Sequence, residues 1–219
     1  MKLGNLKAAA LCLSALAFSA GASATVIDNT NVTWAVGNFG SPDTATYGQT
    51  ITVGADHFLN SFSLYLNVSG TPTSVRGYVA GWDGSKATSI LYTSATRTLP
   101  ATPGRTEFAF DTGALDLNAG GQYVLLLSAS GFGVQPSSSN TMPMTGDSYA
   151  GGEFTWINNG TDFSELTGRS WDCQGCGYGD AAFKAELSAT SNDVPEPASL
   201  ALLGLGLAGL AAGRRKFRA

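Results

Sequence analysis

Residues 58–68 set the strongest limit on the fold. Phe62, Leu64, Leu66 and Val68 alternate with Ser61, Ser63, Tyr65 and Asn67. A period of two places the apolar set on one face of an extended chain, which suits a half-buried strand and not a helix. Residues 105–111 repeat the pattern, with Phe108 and Phe110 opposed to Glu107, Ala109 and Asp111. Residues 123–127, Tyr-Val-Leu-Leu-Leu after Ala-Gly-Gly, form a short unbroken apolar run. Its length and glycine flank predict a strand covered on both sides.

Further strands are expected at 31–36, 46–53, 74–82, 89–93, 153–157 and 181–187, with turns at Asp83-Gly84 and Asn159-Gly160. Residues 131–152, rich in Ser, Pro, Met and Gly, read as a long loop. The expected fold is therefore all-β: an antiparallel, jelly-roll-like β-sandwich of about nine strands. Scarce charge and abundant Gly, Ser and Thr fit it better than a helical bundle. Trp82-Asp83 and Trp171-Asp172 look like a repeated dipeptide, but the chain is too short for a propeller of ~40 residues per blade.

Both ends differ from this body. Lys2 and Lys7 precede an uncharged stretch from 8 to 20, and Ala22-Ser23-Ala24 supplies small residues for a signal peptidase. Residues 1–24 are thus expected to be a signal helix, cut between Ala24 and Thr25. At the other end, residues 188–193 form a short polar linker before Val194-Pro195-Glu196-Pro197. An uncharged run follows at 198–213, then Arg214-Arg215-Lys216. As a helix the run would be ~24 Å long, short for a ~30 Å hydrocarbon core. It is expected to be a C-terminal transmembrane helix, with the basic residues as a cytoplasmic stop.

Between Thr25 and Asp193 lie 6 basic and 15 acidic residues. The 25–187 domain is thus acidic, which argues against a nucleic-acid partner.

Few residues invite chemistry. Cys173 and Cys176 are the two cysteines outside the leader. Zinc would need four ligands. A redox dithiol would need a helix start, which Gly175, Gly177 and Gly179 disfavour. A local disulfide is the expectation for an exported chain. His57, the only histidine, has no Gly-x-Ser-x-Gly partner and is expected at a turn or strand edge. Asp162 and Glu165 are the nearest candidates for a glycosidase pair. Asp147, Asp162, Asp172 and Asp180 could offer oxygens to calcium, but no loop has ligand spacing. No catalytic residue, metal or cofactor is expected. Trp82, Trp156 and Trp171 lie near predicted strand ends or loops, where exposed rings could stack on sugars, the alternative being that each fills the sandwich core.

The tail resembles the PEP-CTERM sorting signal of Gram-negative bacteria. The resemblance rests on Val194-Pro195-Glu196-Pro197, the Gly/Leu/Ala span and the Arg-Arg-Lys stop. It implies recognition at Pro195, Glu196 and Pro197 by exosortase, a membrane cysteine protease-transpeptidase. It also implies a host that makes exopolysaccharide, often a biofilm or floc former. The body is similar to exported β-sandwich domains fused to such signals, through residues 79–84, 121–125 and 149–152. That likeness carries no catalytic residues. The functional expectation is a non-enzymatic surface or matrix protein, with a carbohydrate-binding module as the alternative and a glycosidase third.

Overall fold

The computed structural model describes residues 24–40, 44–136 and 139–191. The expected signal helix with Ala22, the hinge Pro195, Glu196 and Pro197, the span 198–213 and the stop Arg214, Arg215 and Lys216 lie outside the described residues. Among the described residues, no helix is long and apolar enough to cross a membrane.

In chain order the elements are β1 (Ala24–Asn29), β2 (Trp34–Phe39), β3 (Thr46–Thr52), β4 (Phe58–Val68), β5 (Ser74–Trp82), β6 (Ala87–Thr93) and β7 (Arg97–Thr98). They continue with β8 (Gly104–Asp116), β9 (Gln122–Ser128), β10 (Asn140–Gly146), β11 (Phe154–Ile157), α1 (Glu165–Gly168), β12 (Asp180–Ala181) and β13 (Phe183–Ser188). The strands form two antiparallel sheets. A seven-stranded sheet runs β1-β13-β4-β10-β12, with β2 on β10 and β8 on β4. A six-stranded sheet runs β11-β3-β9-β5-β6, with β7 on β5. Neither closes into a barrel.

The alternation at 58–68 does what its period requires. Phe62, Leu64, Leu66 and Val68 of β4 enter the core between the sheets. There they meet Tyr47 and Ile51 of β3, Val75 and Val79 of β5, and Leu125 and Leu127 of β9. Each such side chain contributes about 1.5–3 kcal/mol when fully buried. β9 is covered twice. Tyr123, Leu125 and Leu127 face the main core, while Val124 and Leu126 face a second cluster on the outer side of the six-stranded sheet. Leu166 of α1, Trp171 and Phe163 fold back over that side and close it.

Thirteen strands are present among the described residues, where about nine were expected. The additions are β1, β7, β10 and β12. β10 lies inside the stretch expected to be a loop. Met142 and Met144 alternate inward and are fully buried. Pro143, which lacks an N–H, still accepts from Ala182 N through its carbonyl at 2.7 Å. The first expected strand, 31–36, is shifted to β2 at 34–39.

Candidate functional site

The three tryptophans expected near loops have different fates. Trp171 is only 2% exposed, so it is not a sugar platform. Its indole Nε1 donates to Leu166 O at 2.9 Å, and its ring meets Trp82 edge-on with centroids 5.2 Å apart. Trp82 is half-buried against the same cluster. Trp156, on the edge strand β11, is half-buried against the main core.

The exposed aromatic pair is elsewhere. Trp34 is 39% exposed and Tyr178 is 38% exposed; their centroids lie 5.9 Å apart and their planes are inclined by 31°. Sequence reasoning did not single out either residue. From this pair ring contacts run inward through Phe154 and Tyr47 to Phe39 in the core. Burial pushes the Tyr47 phenol well above its ordinary value, and its hydroxyl donates to Gly37 O at 2.6 Å.

The loop that presents Tyr178 is tightly held. Cys173 and Cys176 form a disulfide at its start. Gly179 follows at φ +73°, and a Cβ there would sit 2.5 Å from the Gly146 carbonyl carbon. Only glycine allows this approach. Asp180, fully buried, comes next. One carboxylate oxygen accepts from Ser148 N (2.9 Å) and Tyr149 N (2.7 Å); the other accepts from Gln49 Nε2 (2.9 Å). Gln49 Oε1 in turn accepts from Ala181 N at 2.8 Å. This clasp joins β3 of one sheet to β12 of the other. Burial raises the Asp180 carboxyl above its usual range, partly offset by its three donors.

The candidate acids serve local structure. Asp162 accepts from Ser164 N and Oγ, and these bonds hold its carboxyl below the ordinary value. Glu165 pairs with Arg169 at 2.8 Å, and Arg169 also reaches Asp172 at 2.9 Å. His57 Nδ1 lies 2.9 Å from Asp116 Oδ1 at a strand start. Among the described residues, no group of three or more His, Cys, Asp or Glu side chains gathers as metal ligands.

Both ends of the described domain meet on one sheet edge. β1 pairs with β13 so that Ala24 faces Ser188 and Thr25 faces Leu187. Thr25 Oγ1 donates to Asp56 Oδ2. Thr25, Ile27, Ile51, Gly54, Asp56 and Leu187 help line a cavity of about 230 Å³ bordered by β1, β3, β13 and the loop after β3. Residues 189–191, which follow β13, are exposed.

The chain carries a PEP-CTERM protein-sorting motif at residues 193–216. The PEP-CTERM motif implies export, transient membrane anchoring through the C-terminal region and processing by exosortase. No curated protein matches the chain. Among solved structures, it is similar to the cysteine protease and lectin-like domains of Cwp84, a surface layer associated protein of Clostridium difficile. That likeness has 11% sequence identity and a TM-score of 0.39, over 68% of this chain and 33% of that one. The chain thus matches about a third of the length of that structure.

Proposed function

We propose that this is a non-enzymatic surface or matrix protein of an exopolysaccharide or biofilm layer. Signal peptidase removes residues 1–24. Residues 25–187 act as a jelly-roll-like display domain, joined by a linker at 188–193 to the sorting signal at 194–218. Exosortase recognises Pro195, Glu196 and Pro197 while the 198–213 span holds the chain in the membrane. The observation that carries this reading is the sorting motif, placed directly after the last strand of a two-sheet domain. Intact mass of the exported protein tests it. The expected mass lacks the residues beyond the Pro-Glu-Pro hinge in a strain with exosortase and retains them in an exosortase deletion. A tail retained in both strains overturns processing in favour of simple anchoring.

The exposed Trp34–Tyr178 pair favours a second reading, carbohydrate binding. Flat rings with a negative face attract sugar C–H groups, and the braced loop presents Tyr178 without further ordering. Trp82 and Trp156, each part-exposed, are secondary contacts in this reading. Retention of the protein on the host's own exopolysaccharide tests it. Wild-type retention lost in Trp34→Ala and Tyr178→Ala supports the reading; no wild-type retention overturns it.

A further inference from the structure

Cleavage between Ala24 and Thr25 consumes one water. Ala24 keeps a carboxylate, and Thr25 gains an α-amino group that is largely protonated at neutral pH. The fold holds a partner ready for that cation. Thr25 lies in β1, opposite Leu187, and its hydroxyl already donates to Asp56 Oδ2. Its backbone nitrogen is three bonds from that hydroxyl oxygen, at most about 4 Å by covalent geometry. The new ammonium therefore arises within about 6 Å of the Asp56 carboxylate.

We propose that Asp56 is the receptor for the α-ammonium of the processed chain. The inference rests on the cleavage reading above. In the uncut chain the same nitrogen is a neutral amide, and Asp56 holds the Thr25 hydroxyl. After cleavage an ion pair joins that hydrogen bond. Together they pin the start of β1 across the cavity shared with Ile51, Gly54 and Leu187. β1 needs such a pin. It is an edge strand whose first three residues are exposed, and its described pairing is with β13 alone. Cleavage thus acts as a latch that seats the terminal strand once the leader is gone.

The surroundings favour a cation. Asp56 lines the site from the β3–β4 loop, and the neighbouring His57 is engaged with Asp116 of β8. Glu186 of β13 stands opposite Val26. Lys184 of β13 lies farther along the pair and is matched to Asp28 at 3.4 Å. An ammonium paired with a carboxylate titrates above its unfolded value of about 7.7–8.0. Its stabilisation is present below that value and is lost as pH rises through the higher folded value.

The test uses the exported protein purified from its host. N-terminal sequencing comes first. The rate of reductive methylation of the α-amine is then followed against pH, in native protein and in urea. The expected first residue is Thr25. The amine should titrate higher in native wild type than in urea, and Asp56→Asn should remove the difference. Asp56→Asn should also speed aminopeptidase trimming of β1 several-fold. A first residue other than Thr25 overturns the cleavage reading, and this proposal with it. Thr25 with the same titration in native protein and in urea overturns the Asp56 receptor alone. The wild-type comparison decides the matter even if Asp56→Asn is not exported.

Discussion

Trp171 and Trp82 meet edge-on beneath a covering segment, while Trp34 and Tyr178 meet at a similar separation on the open surface. Both pairs are built from large amphipathic rings. The first has its indole N–H satisfied by Leu166 O and is sealed by residues of the helical turn. The second leaves more than a third of each residue exposed to water. What separates them is coverage supplied by distant parts of the chain. A covered ring stabilises the fold, and an exposed one on a braced frame is free to meet a ligand.

The sharpest way to break this contrast is truncation. Trp171→Ala should cost about 3–5 kcal/mol in urea unfolding, because it empties a large buried site. If Trp34→Ala costs as much, the contrast fails. Asp180→Ala strips the frame behind Tyr178. It leaves Ser148 N and Tyr149 N without their acceptor and the Gln49 amide with Thr50 O alone, and should cost about 1–3 kcal/mol for each group left unsatisfied that water cannot reach. The same carboxyl gives a pH signature. Its folded value is raised by burial, so the folded state holds the proton more tightly than the unfolded state. Its contribution to stability therefore declines as pH rises from about 4, the unfolded value, through the folded one. Unfolding midpoints against pH should show that decline in wild type and lack it in Asp180→Asn.

A smaller effect is expected from the disulfide. Cys173→Ser with Cys176→Ser opens a very short loop, worth about 2 kcal/mol at most in the chain-entropy model. It should loosen the presentation of Tyr178, read as weaker near-ultraviolet circular dichroism. The smallest stability change belongs to Trp34→Ala and Tyr178→Ala, within about 0.5 kcal/mol for surface positions. Their effect should fall on polysaccharide retention.

The parts of the fold legible in the sequence are those where one strand carries a whole pattern. β4 alternates over most of its length, and the run in β9 has the unbroken apolar character of a strand covered on two sides. β10 was hidden because Pro143 and its polar neighbours resemble loop chemistry, although Met142 and Met144 already alternate. β1 was hidden by its position at the edge of an apparent leader, and β12 is only two residues long. The aromatic site was less legible. Exposure of Trp171 depends on how the segment around α1 folds over the sheet, and no local pattern encodes that. Tyr178 did carry a clue: it stands between Gly177 and Gly179, both at positive φ, the mark of a loop forced into close approach.

The position of β13 also determines how the domain bears load. Its C-terminal end leads into the sorted tail, and it is held by six register pairs to β1 on one edge and six to β4 on the other. Antiparallel ladder bonds lie across the strands. A tether pulling Ser188 away from the opposite end of the sandwich therefore loads both ladders in shear. Many bonds must yield together, whereas a strand peeled from one side would lose them in turn. Ser188, where β13 ends, is therefore a place suited to carrying tension.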